Sequence, residues 1–186
     1  MSKPTVLRGR AWVVRDDEGA PIDSIDTDMI FHNAHLAITS LAQMGPLAFG
    51  NLKGWQDFPR QARPGDLLVV GENFGCGSSR QQAVDCFRAL GIAAIVGESF
   101  GAIYLRNAIN AGLPLMVCPG IVRGMVHPET GAIRRVESGD ELELDLVRGA
   151  IRNVTRAADV DGARPLFQVQ LDIYEAGDLL KYGARA

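Results

Sequence analysis

Between positions 71 and 80 the chain reads Gly71-Glu72-Asn73-Phe74-Gly75-Cys76-Gly77-Ser78-Ser79-Arg80, so two hydroxyls and a guanidinium follow three glycines. A guanidinium grips a carboxylate in bidentate fashion, and an adjacent serine oxygen can accept a proton. The elements on either side must place these groups. Upstream, residues 66–70 form a short apolar run opened by Pro64-Gly65, which reads as a buried strand. Downstream, Ala83, Val84, Phe87 and Leu90 recur at helical spacing, and Gly91 follows as a cap. The loop therefore lies at a helix N-terminus. Free N–H groups and the helix dipole there suit a carboxylate, a phosphate or a serine alkoxide.

Two phosphate-binding motifs fail on the letters. The phosphate-binding loop needs Gly-Lys-Ser/Thr, and this loop has no lysine. A dinucleotide fingerprint starting at Gly75-Cys76-Gly77 would put its third glycine on Arg80, where a long side chain crowds helix–strand packing. A plainer reading makes Ser78 or Ser79 an N-cap, with Gln81 or Gln82 completing a capping box. Capping and catalysis are compatible, and Arg80 beside the hydroxyls favours chemistry.

The chain has 186 residues, 47% of them hydrophobic, and a formal net charge of −3. That is enough for one well-filled core and short for two, so residues 1–186 are read as a single domain. The mildly acidic balance and scattered arginines give no electrostatic reason to expect nucleic acid or an anionic membrane. Nothing resembles a signal peptide or a spanning segment, which points to a cytoplasmic protein. Cys76, Cys86 and Cys118 form no C-x-x-C pair and have no histidine at ligand spacing, so neither a disulfide framework nor a metal site is suggested. Cys86 and Cys118 read as buried small hydrophobes, while Cys76 at the helix N-terminus is the one candidate reactive thiol. His32 and His35 lack an identifiable third ligand and read as loop residues, as does His127 before Pro128.

Beyond the first helix, residues 92–96, 102–111 and 115–118 read as strand, helix and strand, which completes a parallel βαβαβ core with ligands at the carboxyl ends of its strands. Leu142, Leu144 and Leu146 alternate with charged residues, and Phe167, Val169, Leu171 and Ile173 with mostly polar ones. Both stretches read as half-buried strands of an additional β-rich layer. Residues 7–14 read as a strand and 175–182 as a short helix. The Gly- and Pro-rich segment 45–63, with Phe49 and Trp55, reads as a mobile segment or a partner surface.

In order along residues 5–175, Asp26-Thr27-Asp28, the 71–80 loop, Ser99-Phe100-Gly101 and Arg106-Asn107-Ala108-Ile109-Asn110-Ala111-Gly112-Leu113-Pro114 together resemble the small subunits of isopropylmalate dehydratases and their aconitase-superfamily relatives. The resemblance implies a swivelling β/β/α domain and a dehydration and rehydration that moves a hydroxyl between adjacent carbons of a small hydroxy-carboxylic acid. In that chemistry a [4Fe-4S] cluster serves as Lewis acid and a serine oxygen removes the proton. Ser78 matches the base, and Ser79 and Arg80 match residues that hold a substrate carboxylate. Asp26, Thr27 and Asp28, with Ala37 and Thr39 after Leu36, match the segment facing the variable substituent. Gly71, Asn73, Gly75 and Gly77 shape the loop.

The chain lacks the three clustered cysteines a cluster needs, so the resemblance implies a separate cluster-bearing large subunit. Relatives that accept an extra carboxylate often present arginine just after the leucine matching Leu36, where this chain has Ala37-Ile38-Thr39. A buried γ-carboxylate would stay unpaired there. An apolar substituent fits better, which favours isopropylmalate, and hence leucine biosynthesis, or dimethylmalate over homoaconitate. His35 stands where Tyr or Phe is common, which leaves a specialised catabolic hydro-lyase open, and citraconate/methylmalate stands among the alternative acids. A non-catalytic module of the same fold is the other class, and the intact Ser78-Ser79-Arg80 run speaks against it.

Overall fold

Short apolar runs with no polar face must be covered on both sides, and the runs at 67–70 and 94–97 meet that by lying inside one curled sheet, buried at every residue. A computed structural model describes residues 3–126, 133–134 and 136–185. Strands β1 (Val6–Val13), β2 (Leu67–Val70), β3 (Ala94–Gly97) and β4 (Leu115–Val117) lie parallel in the order β4-β3-β2-β1, with Leu68 opposite Ile95 and Val69 opposite Val96. A small hairpin, β5 (Met125–Val126) and β6 (Ile133–Arg134), stands apart. On the far side of β1, β7 (Glu141–Asp145), β8 (Ala150–Asn153) and β9 (Ala158–Val160) continue the same sheet antiparallel. β1 therefore joins the parallel and antiparallel halves.

The helices are α1 (Thr27–Ile30), α2 (Leu41–Met44), α3 (Phe58–Gln61), α4 (Gln82–Ala89), α5 (Ala102–Asn110), α6 (Gln168–Ala176) and α7 (Leu179–Gly183). Every residue of β2 and β3 is buried, and successive side chains divide between two cores. Leu68, Val70 and Ile95 pack with Val84 and Phe87 of α4 and Tyr104 and Ala108 of α5. Leu67, Val69, Ala94 and Val96 share the second core with Leu142, Leu144 and Ile151 of the antiparallel half and with Leu171 and Tyr174 of α6. The sheet thus folds one face onto itself, as expected of a β/β/α layering with a parallel βαβαβ core. No described helix is long and apolar enough to cross a membrane.

Three sequence expectations are corrected. Residues 167–173 are not a strand. Phe167 (75% exposed) and Val169 (53%) face outward, whereas Leu171, Tyr174, Ile173 and Ala176 are buried at helical spacings within α6. The Phe167 N–H donates to Gln170 Oε1 at 2.9 Å, closing the first turn. The 175–182 helix is two pieces, divided where Gly177 takes φ 107°. The 45–63 segment is core rather than free surface. Phe49 and Phe58 are buried, the Phe49 ring lies 5.1 Å from Phe87 and 5.4 Å from Phe58, and the half-buried Trp55 donates from Nε1 to Arg15 O at 2.8 Å. The turn assigned to His127 lies outside the described residues.

Candidate active site

The 71–80 loop leaves the carboxyl end of β2 and is held on both flanks by backbone hydrogen bonds. On one flank, Ser24 N–H donates to Glu72 O (2.8 Å), Gly75 N–H to Ile25 O (2.7 Å) and Thr27 N–H to Cys76 O (3.0 Å). On the other, Phe74 N–H donates to Ser99 O (3.1 Å) and Gly101 N–H to Phe74 O (2.9 Å), while Asn73 N–H donates to Ser99 Oγ (2.8 Å). Thr27 Oγ1 adds a bond to Ser78 O at 3.0 Å. The Asp26-Thr27-Asp28 and Ser99-Phe100-Gly101 motifs, far apart in sequence, thus form the two walls of the loop.

Two loop positions depend on unusual backbone. Gly75 has φ 75°, and a Cβ there would run into the Tyr104 ring. Asn73 has φ 53°, a conformation asparagine tolerates better than most residues, and its Nδ2 donates to Oγ of Ser24, itself at φ 51°.

Neither serine caps α4. The N-cap is Gln81, already in helical geometry and without a side-chain cap bond, so the capping-box expectation is overturned. Thr27 holds the Ser78 carbonyl, and Ser79 Oγ accepts from Asn107 Nδ2 of α5 at 3.3 Å. Ser78 is exposed, its hydroxyl has no hydrogen-bond partner among the described residues, and the same holds for the backbone N–H groups of Gly77 through Gln81. A row of open donors beside an open hydroxyl is an anion-binding surface.

Arg80 is 15% exposed and donates from Nη1 to Asp28 Oδ1 (2.7 Å) and Phe31 O (3.3 Å). Asp28 also accepts from Asn33 N–H and Asn51 Nδ2, and the Arg80 hydrogen bond, first among the causes, holds its carboxyl below the usual range. Nε and Nη2 of Arg80 have no acceptor among the described residues, leaving one edge of the guanidinium for a second anion. Asp26 caps α1 through Oδ1, accepting from the N–H groups of Asp28 (2.9 Å) and Met29 (2.8 Å). Ala37 and Thr39 are exposed, and their segment is tied to α4 by a bond from Gln82 Nε2 to Leu36 O at 3.2 Å.

Burial raises the Cys86 thiol far above its usual range and lifts Cys118 to about 12, as expected of inert core thiols. Cys76 is raised too, first by desolvation and then by the Asp26 charge, and its Sγ donates to Ser24 O. That environment opposes a thiolate, against the reactive-thiol reading. His32 Nδ1 accepts from Ala34 N–H within its own turn. Among the described residues no three His, Cys, Asp or Glu side chains gather as a metal site, so a cluster does not fit on them.

Sequence reasoning gave no role to Asn107, Asp23, Glu98 or Arg123. Asn107 lay inside a quoted motif, but nothing along the chain signals its contact with Ser79. Arg123 forms ion pairs with Glu98 and Asp23 and lies 3.7 Å from Glu72.

Comparison with known proteins gives the family. The Aconitase C-terminal domain model matches residues 51–119. The chain is 40% identical to the 3-isopropylmalate dehydratase small subunit 1 of Methanopyrus kandleri, over 95% of this chain and 91% of that one. It is 35% identical to the isopropylmalate/citramalate isomerase small subunit of Methanocaldococcus jannaschii, over 96% and 94%. The crystal structure of 3-isopropylmalate dehydratase (leuD) from Methanocaldococcus jannaschii superposes with a TM-score of 0.80 at 29% identity, covering 97% of this chain and 94% of that one. With its two motif walls, its Ser78-Ser79-Arg80 loop and relatives matched along nearly its whole length, the chain belongs to the 3-isopropylmalate dehydratase small subunits of the aconitase family.

Proposed function

We propose that this chain is the base-bearing half of a hydro-lyase that interconverts 2- and 3-isopropylmalate, working with a separate large subunit. The observation that carries the reading is the Ser78 hydroxyl, without a hydrogen-bond partner among the described residues, beside the open N–H groups of Gly77 through Gln81. A serine hydroxyl does not ionise at neutral pH, so a serine base needs its alkoxide stabilised; the open N–H groups and Arg80 supply positive potential at that spot. Ser78 Oγ, as the alkoxide, takes the proton from the carbon adjacent to the hydroxyl-bearing one as the C=C bond forms and the C–O bond breaks, the hydroxide leaving toward the Lewis acid that the large subunit would supply, and it returns the proton on rehydration. Ser79 and the open edge of Arg80 hold the adjacent carboxylate. A [4Fe-4S] cluster on the large subunit supplies Lewis acidity toward the hydroxyl and a carboxylate.

The exposed Ala37 and Thr39, which bear no charge, suit an apolar substituent. The isomerase relative, whose name joins isopropylmalate and citramalate, supports a second reading in which a methyl-substituted malate is also accepted. The test is an anaerobic complex with a cluster-bearing large subunit, followed by ultraviolet absorbance on isopropylmalate, citramalate and homocitrate. Turnover of the alkyl acids alone is expected, with the isolated chain inactive. Ser78→Ala is expected to lower kcat by about 10²–10⁴-fold with assembly unchanged. Turnover of homocitrate would overturn the substrate reading, and full activity of Ser78→Ala would overturn the base.

A further inference from the structure

Arg123 lies in the turn after β4, where its side chain meets Glu98 at the carboxyl end of β3. Its guanidinium joins two segments that both touch the active-site loop. Nη1 binds Glu98, whose side chain is 3% exposed just beyond β3, and Nη2 binds Asp23. Glu98 also accepts from the N–H groups of Val122 (3.1 Å) and Arg123 (3.2 Å), so the turn is locked onto β3 from side chain and backbone alike. A carboxylate that buried needs its cation, which fixes one end of the guanidinium. The other end fixes Asp23, whose second oxygen, Oδ1, accepts at 2.8 Å from the N–H of Glu72, the second residue of the loop. Gly71 lies so close that a Cβ there would collide with Asp23 Oδ1 and come within 2.8 Å of Ile22 O. Ser24, next along, meets the loop at Glu72 O and Asn73 Nδ2.

We infer that Arg123 is a positioning residue for Ser78, clamping the 22–28 wall to β3 through Asp23 and Glu98 and so setting where the loop carries its hydroxyl. Arg80 is anchored at the far end of the same wall, through Asp28, which Asn33 N–H and Asn51 Nδ2 also hold, and through Phe31 O beyond it, so releasing Arg123 at Asp23 disturbs the Ser78 end of the loop more than the carboxylate grip. The effect belongs in kcat rather than KM. This inference rests on the reading of Ser78 as the base.

The test uses the reconstituted complex with isopropylmalate, comparing Arg123→Ala, Asp23→Asn and the double variant. Arg156→Ala serves as control, because its 2.7 Å pair with the buried Asp140 has similar exposure but lies on the antiparallel half. Arg123→Ala is expected to lower kcat at least tenfold with KM within about twofold, and the double variant to match the single ones, because the pair acts as one unit. Arg123→Lys should recover only part of the loss, since one ammonium cannot span both carboxylates. Amide hydrogen exchange of the isolated chain should show Glu72, Ser24 and Gly75 exchanging at least tenfold faster in Arg123→Ala, with β3 unchanged. Unchanged exchange, unchanged kcat in an active complex, or an equal kcat loss in Arg156→Ala would each overturn the inference. A wild-type complex that turns over no hydroxy acid would instead overturn the reading beneath it.

Discussion

A serine oxygen serves as a base only where its alkoxide is favoured, and the role proposed for Ser78 rests on the open backbone N–H donors of Gly77 through Gln81 and on Arg80 two residues on, whose guanidinium is shared with Asp28. The thiols show the opposite outcome from the same kind of control. Cys76 sits one residue before Gly77 but faces inward toward Ser24 O beside Asp26, so its proton is held more tightly than in an ordinary thiol. Alkylation of the native chain at pH 8 should therefore label Cys76 slowly and leave Cys86 and Cys118 untouched, with all three reacting in denaturant. Rapid labelling of Cys76 would contradict the inward orientation. At this scale the letters show which groups stand side by side, as in Ser78-Ser79-Arg80. They were silent where a role comes from a distant partner: Asn107 reaches Ser79 across 28 positions and Arg123 reaches Asp23 across 100.

The loop's glycines act at the scale of the element. Gly75 combines a positive φ with the Tyr104 ring at the place a Cβ would occupy, whereas Gly139 has φ 95° and nothing within 4 Å. Gly75→Ala should lose about 1–2 kcal/mol from the backbone conformation alone and more from the ring contact, with at least a tenfold fall in turnover. Gly139→Ala should show the conformational loss without the catalytic one. Denaturant melts and kcat of the two variants check both statements. The strand–loop–helix order around Ser78 was legible because β2 is a continuous apolar run and α4 carries a clean helical periodicity. The misread elements share a cause. At residues 167–173 apolar letters alternate by chance while only Leu171 and Ile173 are buried, and in 45–63 turn residues surround aromatics whose burial is set by Phe87 and Trp12.

Across the whole molecule, buried carboxylates paired with arginines join the segments. Burial of Asp66 would raise its pKa, but hydrogen bonds from Arg10, Trp12 and Arg63 N–H outweigh it and hold the group below its usual range. Asp140 follows the same pattern, with Arg156, Glu137 N–H and Asn153 overcoming desolvation. Lowered folded-state values mean that the unfolded chain binds protons first as pH falls. Their stabilisation is complete above about pH 5, well clear of the ordinary carboxylate value of about 3.9, and is lost as the pH drops through the folded values. Thermal melts should be flat between about pH 8 and 5 with respect to these groups and fall steeply below about 4. Asp66→Asn should flatten that acid limb, and an unaltered limb would remove Asp66 from the account.

The chain's letters alone determined the parallel βαβαβ order, the strand-to-helix placement of the 71–80 loop, and the residue types that suit proton removal beside a gripped carboxylate. Each of these is a local matter of periodicity, turn chemistry and adjacency. Tertiary structure alone decided that β1 joins two halves of one curled sheet, that Ser78 is left open while Asn107 meets Ser79, and that Asp28 occupies one side of Arg80. Those outcomes depend on packing between segments far apart in sequence, where close approach and burial, rather than pattern, select the partners.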